Sequence, residues 1–155
     1  QSIIIILDDI RSMHNVGSAF RTCDAFMIEA LYLCGYTPQP PHRDIHKTAL
    51  GATETVNWQY FGNTMEAVNT AKGLGYKIIA IEQVHNSTML NNYRYNIEEK
   101  IALVFGNEVT GVSEDVMQIA DNCIEIPQWG SKHSLNISVS LGVVLWELVR
   151  NLKQN

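Results

Sequence analysis

Three short polar clusters in this sequence carry residue types that could do chemistry. In Asn15-Val16-Gly17-Ser18-Ala19-Phe20-Arg21 an amide and a guanidinium lie six residues apart, with Gly17 between them. A glycine there lets a group approach the backbone closely, and beside a helix N-terminus this set suits an anion such as a phosphate. On spacing alone the plainer reading is that Asn15 caps a helix and Arg21 is a surface charge. Phe105-Gly106-Asn107-Glu108-x-x-Gly111 is a strand end closed by a second glycine into a tight loop that exposes backbone. It reads equally as a well-formed turn with a solvated Glu108. The third cluster runs from Ile126-Pro127-Gln128-Trp129-Gly130 through Ser134-Leu135-Asn136-Ile137-Ser138. One hydroxyl or amide at a helix start is an ordinary N-cap. Three, behind a Pro/Gly turn, point to a polar site built on a buried element.

The elements that position these clusters are legible from periodicity. Ile3-Ile4-Ile5-Ile6-Leu7 is a continuous β-branched run, as expected of a strand buried on both faces. A helix is predicted from Asn15 to about Met27, a strand over Ala30 to Leu33, and a loop over Gly35 to Asp44, which holds three of the four prolines. A short helix follows at His46 to Leu50, an extended segment at Val56 to Phe61, a helix at Thr64 to Leu74 and a strand at Lys77 to Ile81. Val84 to Asn96 gives no periodic signal. Strands are predicted at Ile101 to Phe105 and Cys123 to Ile126, with a helix at Ser113 to Ile119 capped by Ser113, and a long helix from Asn136 to Leu152. Strands alternating with helices imply an α/β fold with a mainly parallel sheet flanked by helices, read as one domain over residues 1–155. In such a sheet, sites gather beyond the carboxyl ends of the strands, so the three loops can share a pocket although they are far apart in sequence.

Composition bounds the function. A chain of 155 residues can bury roughly 70% of its unfolded surface, and its 46% apolar content is ordinary. No apolar run approaches the roughly 20 residues needed to span a bilayer. The run at Ile3 is too short for a signal peptide and is closed by Asp8-Asp9. Gln1 is not an initiator Met, so further N-terminal residues are expected in the natural protein. Cys23, Cys34 and Cys123 are isolated and odd in number, which argues for free thiols in a reducing cytoplasm. Gly73-x-Gly75 lies between a helix and a following strand, the reverse of a dinucleotide fingerprint, and there is neither a Walker loop nor a Gly-x-Ser-x-Gly elbow. His42 and His46 have metal-like spacing but flank Arg43 and Lys47, so a basic patch fits better than zinc, and no metal site is expected. His14 and His85 read as lone structural or solvated histidines. The formal charge of −5 runs against the usual basicity of a phosphate-binding protein. Any nucleic-acid partner must then be met by a local patch, drawn from Arg11, Arg21, Arg43, Lys47 and Lys132 with His42 and His46.

Taken together and in this order, the three clusters resemble the three motifs of the SpoU (TrmH) family, the SPOUT-class RNA ribose 2′-O-methyltransferases. The resemblance covers nearly the whole chain, and Lys47-Thr48-Ala49-Leu50-Gly51-Ala52 is similar to a small-residue stretch these enzymes carry between the first two motifs. It implies a C-terminal deep trefoil knot holding S-adenosylmethionine. The cofactor-binding positions would be Phe105, Gly106, Asn107, Gly111, Ile126, Gln128, Ser134 and Leu135. It also implies a cytoplasmic homodimer with active sites completed across the interface, acting on tRNA or rRNA. The contacts would come from the first helix and from Val139, Val143, Leu145, Trp146 and Val149 of the last. Arg21 matches the family's catalytic arginine. Because a guanidinium almost never loses its proton, its implied role is to pair with an RNA phosphate and orient the ribose hydroxyl, with the phosphate or a water taking the proton. Asn15, Glu108, Ser134 and Asn136 match positions that bind RNA or shape the site, and Glu108 would orient Arg21 or Asn15. Two residues depart from the pattern: Gln128 stands where many relatives have an apolar side chain, and Trp129 is large, so both are expected at the pocket rim. The extra RNA-binding domain or basic extension of many relatives is not in this sequence.

Two readings from other classes compete. A non-catalytic RNA-binding or assembly module with the same fold would not need Asn15, Arg21, Glu108, Ser134 and Asn136 intact together. An ordinary small-molecule α/β enzyme would be expected to carry one of the missing cofactor fingerprints.

Overall fold

The computed structural model describes residues 1–131, 134–150 and 152. Seven strands form one sheet: β1 (Ile3–Asp8), β2 (Ala30–Cys34), β3 (Trp58–Phe61), β4 (Lys77–Ile81), β5 (Thr88–Met89), β6 (Ile101–Phe105) and β7 (Asn122–Glu125). Every pairing is parallel, in the order β3-β2-β1-β6-β4-β7-β5. Five helices join them: α1 (Met13–Ala25), α2 (Arg43–Ala49), α3 (Thr64–Gly73), α4 (Glu114–Ile119) and α5 (Ile137–Val149).

The uninterrupted apolar run of β1 has the predicted cause. Ile3, Ile5 and Leu7 pack with α1, α2 and α5 on one face, while Ile4 and Ile6 pack with α3 and α4 on the other. Parallel strands covered on both faces have no polar side to show. The chain walks outward from β1 through β2 to β3, then returns to lay β6 and β4 on the other side of β1. The carboxyl ends of β1, β6, β4 and β7 therefore lie side by side, where an open parallel sheet forms its crevice.

Several boundaries move. The first helix begins at Met13 rather than Asn15, because the Ser12 hydroxyl accepts the Asn15 N–H at 3.2 Å. Asn15 is thus in the first turn and is not the cap. The second helix starts at Arg43 rather than His46, with His42 Nδ1 accepting the Asp44 N–H at 3.1 Å. Ser113 stands before α4, but its side chain makes no capping bond. The strand predicted at Cys123 to Ile126 runs one residue earlier, and α5 ends at Val149 rather than Leu152. The segment without periodic signal supplies the two-residue edge strand β5 and a 3-10 turn at Leu90–Asn92.

Gly17 has a different use from the one its motif suggested. A Cβ there would stand 2.0 Å from Thr48 Oγ1 and 2.3 Å from the Ile45 carbonyl oxygen. What approaches its backbone is α2, whose Thr48 hydroxyl donates to the His14 carbonyl at 2.9 Å. All three cysteines are free. Burial raises the Cys23 thiol far above its ordinary value and pushes Cys34 up to about 12, with Asp8 and Asp9 adding to the latter. Gly17→Ala should cost about 2 kcal/mol of stability in urea unfolding. The overpacking of α1 on α2 outweighs the roughly 1 kcal/mol that alanine gains in a helix, and an unchanged midpoint would contradict the close crossing.

Candidate active site

A cavity of about 920 Å³ opens at the carboxyl ends of β4, β6 and β7. That is near the upper end of the roughly 300–1,000 Å³ typical of small-molecule sites. All eight positions expected to bind a cofactor line it: Phe105, Gly106, Asn107 and Gly111 on one side, and Ile126, Gln128, Ser134 and Leu135 on the other. Glu108 and Asn136 line it too.

The loop after β6 is built by its own backbone. Asn107 and Gly111 exchange N–H to carbonyl bonds of 3.0 and 2.9 Å, and Asn107 Oδ1 accepts the Val109 and Thr110 N–H groups at 2.9 and 3.1 Å. Its Nδ2 donates to the Asp9 carbonyl at 2.6 Å, locking this loop to the end of β1. Gly106 must lack a side chain, since a Cβ would meet Val112 N at 2.1 Å and the Gly111 carbonyl carbon at 2.2 Å. Gly111 adopts φ +75°, and a Cβ there would strike the Glu82 carboxylate.

Two carboxylates that the motifs did not single out hold this loop in place. Glu82, just past β4, accepts the Val112 N–H at 2.9 Å and lines the cavity. Asp8, 3% exposed, accepts the Thr64 hydroxyl at 2.5 Å and the Ser113 N–H at 2.7 Å. Neither belongs to a repeating pattern, and their partners lie 30 to 105 residues away. Their only sequence signal is a position at the end of a strand or just past it.

Other assignments need correcting. Glu108 does not reach Arg21 or Asn15; its two oxygens accept the Arg11 and Ser12 N–H groups, each at 3.4 Å, at the N-terminus of α1. A carboxylate is favourable there. Asn136 caps α5 through its Oδ1, which accepts the Ser138 N–H at 2.8 Å and the Ser138 hydroxyl at 2.5 Å. Ser138 thus belongs to the cap. Asn136 also does what a cap alone does not: its Nδ2 donates to Asn15 Oδ1 at 3.3 Å, tying the first motif to the third although Asn15 itself does not line the cavity. Gln128 is on the cavity wall as expected, but Trp129 is not. It is 93% exposed and faces a smaller hollow, of about 280 Å³, against Val143 and Trp146 of α5.

Arg21 is exposed on α1, one turn beyond Gly17, and does not line the cavity. It makes no hydrogen bond or ion pair among the described residues. Of the proposed basic patch, Arg43 and Lys47 sit 3.9 and 3.6 Å from Asp44, and Lys132 lies outside the described residues. Among the described residues no group of three or more His, Cys, Asp or Glu side chains is placed to hold a metal, and no helix is long and apolar enough to cross a membrane.

The sequence pattern of the SpoU rRNA Methylase family matches residues 2–146. The chain belongs to this family. It is similar to the tRNA (guanosine(18)-2′-O)-methyltransferase of Aquifex aeolicus, 30% identical over 155 residues that cover 99% of this chain and 72% of that protein. It is likewise similar to the 23S rRNA (guanosine-2′-O-)-methyltransferase RlmB of Neisseria meningitidis, 32% identical over 96% of this chain and 58% of that one. Among solved structures, an AdoMet-bound rRNA methyltransferase from Sinorhizobium meliloti superposes with a TM-score of 0.89 at 25% identity, over 97% of this chain and 56% of that chain. This chain thus spans between about half and three quarters of the length of these relatives.

Gly106→Ala should distort the loop that walls the SpoU-family cavity. The expected result is a roughly tenfold or greater loss of S-adenosylmethionine affinity by calorimetry, with a smaller loss of stability, because tightly packed backbone has to move to make room. Wild-type affinity in this variant would show that the loop is not part of the site.

Proposed function

We propose that this protein is an S-adenosylmethionine-dependent RNA methyltransferase that transfers a methyl group to a ribose 2′-hydroxyl of tRNA or rRNA. The observation that carries this reading is that the second and third motifs line one cavity and the Asn136–Asn15 hydrogen bond ties the first motif to them. The cavity suits the cofactor chemically. Phe105, Ile126, Leu135 and Ile137 offer apolar walls, and the backbone exposed by the glycines of the Gly106–Gly111 loop offers polar contacts. When bound, S-adenosylmethionine supplies an electrophilic methyl group on a sulfonium.

A ribose hydroxyl is a poor nucleophile, so the protein must position it in line and ease loss of its proton. In this reading Asn15, held by Asn136, orients the sugar, and Ser134 lies at the cavity rim beside the reacting hydroxyl. Glu108 acts one step back, fixing the N-terminus of α1 on which Asn15 is carried. Arg21 stays charged, pairs with the RNA phosphate and orients the hydroxyl, and the phosphate or a water receives the proton.

Arg21 lies away from the cavity of its own chain, which favours a homodimer with sites completed by a second copy. The last helix supports the same reading. Leu145 and Val149 are buried in the chain's own core, so they drop out of the expected contact set. Val139, Val143 and Trp146, at helical spacing, are 50%, 40% and 60% exposed and form a second apolar stripe. We further read residues 1–155 as one SPOUT domain with a C-terminal trefoil knot, of a kind very rare among folds. Its support is that residues just after β7 share one cavity wall with the loop after β6, and that α5 packs on α1. A cytoplasmic location follows from the tRNA and rRNA substrates.

Incubation with labelled S-adenosylmethionine and bulk RNA from a strain lacking the protein should yield a 2′-O-methyl nucleotide. Absence of product together with absence of cofactor binding would overturn the enzyme reading and leave the inactive RNA-binding module. Arg21→Ala should lower methylation by roughly a hundredfold or more while leaving cofactor affinity nearly intact; a large loss of cofactor binding contradicts its assigned role. Trp146→Glu should shift the sedimenting species from dimer to monomer, and an unchanged dimer would place the interface elsewhere.

A further inference from the structure

Tyr36 is 75% exposed at the carboxyl end of β2, an unusual place to leave a large aromatic ring. Its backbone is held from several directions. The Tyr36 N–H donates to Asp9 Oδ1 at 2.8 Å, the Gly35 N–H to the Phe61 carbonyl at 3.0 Å, and the Thr37 N–H to the Cys34 carbonyl at 3.1 Å. Thr37, buried beside it, ties the turn to β1 through the Leu7 carbonyl and the Ile10 N–H. The Arg11 guanidinium lies over the ring, 5.1 Å from its centroid. The ring is thus presented on a rigid turn with a cation on it.

The pair is continuous with the cavity. Arg11 donates its N–H to Glu108 and lines a second hollow, of about 560 Å³, together with Ser12 and the Asn107–Thr110 loop that also walls the main cavity. Around the Tyr36 ring stand the exposed polar side chains Gln39, His42 and Arg43, and Tyr60, whose hydroxyl donates to the Gly35 carbonyl at 2.7 Å. A planar aromatic surface with a guanidinium over it matches the chemistry of nucleobase stacking beside a phosphate backbone.

We propose that Arg11 and Tyr36 form a stacking platform for a base of the RNA neighbouring the methylated ribose, an inference that rests on the RNA-methyltransferase reading above. Tyr36 is then a positioning residue: it fixes the strand while Asn15 and Arg21 meet the sugar and phosphate.

The test is equilibrium binding of bulk tRNA and, separately, total rRNA from a strain lacking the protein, alongside cofactor calorimetry and RNA-dependent turnover. Tyr36→Ala should weaken RNA binding about ten- to a hundredfold and raise the KM for RNA while kcat and cofactor affinity hold. Tyr36→Phe and Tyr36→Trp should restore binding, because they keep a stacking face, and Arg11→Gln should weaken it less than Tyr36→Ala does. Wild-type RNA affinity in Tyr36→Ala, failure of both aromatic variants to restore binding, or a fall in kcat with unchanged KM would each overturn the platform. So would wild-type protein that binds neither RNA pool. A wild-type protein that binds RNA through Tyr36 yet transfers no methyl group overturns the methyltransferase reading alone.

Discussion

Asp8 and Asp9 stand where the central strand ends, and they turn to opposite sides. Asp8 faces the layer of α3 and α4, accepting the Thr64 hydroxyl at the start of one helix and the Ser113 N–H just before the other. Asp9, at φ 55°, accepts the Tyr36 N–H through its carboxylate and the Asn107 side-chain amide through its carbonyl. A buried carboxylate is costly unless its oxygens are hydrogen-bonded, and breaking such a bond strands a desolvated partner at about 1–3 kcal/mol. Two adjacent residues therefore set the relative positions of the loops after β2 and β6 and the starts of α3 and α4.

The cavity inherits its shape from this junction. Its floor is a parallel sheet whose strand ends align because every pairing is parallel, and its rim is backbone folded tightly around Gly106 and Gly111. Glu82 braces that rim from β4 as Asp9 braces it from β1. A site assembled from main-chain groups has little freedom to collapse when empty, because its turns are held by side chains pointing away from the ligand. Such preorganisation lowers the ordering cost of binding. The same logic extends to Asn136, where one amide both starts α5 and reaches Asn15.

The strands were easy to read in the sequence because burial on both faces leaves an unbroken apolar run, as in β1 and β6. The cavity wall was legible as well, since motifs at strand ends must meet in a parallel sheet. What stayed hidden was long-range pairing. Gly17 has the pattern of a ligand-approach glycine, yet the group that approaches it is α2, which begins three residues before its periodicity suggests. Ser12 and Asn15 are equally good capping residues by type, and only the fold decides between them. The partners of Glu108 are backbone N–H groups, which have no sequence signature. Asp8, Asp9 and Glu82 brace the loops through partners 27 or more residues distant, beyond any local pattern.

That hidden pairing also bears on how an acidic chain can hold an acidic polymer. Net charge counts carboxylates equally, but the field at the cavity mouth depends on where each one points. Asp8, Asp9, Glu82 and Glu108 all accept main-chain N–H groups, two of them at the starts of helices, so much of their charge is answered by fixed backbone dipoles. Asp44 is shared between Arg43 and Lys47. Arg11 meanwhile lies over the Tyr36 ring rather than a carboxylate. The formal −5 is therefore a poor guide to the potential an incoming phosphate would meet on this face. Of the carboxylates lining the cavity, Glu82 and Glu108 act on the protein's own backbone and Glu125 accepts the Ser87 hydroxyl, while Arg21 makes no ion pair among the described residues.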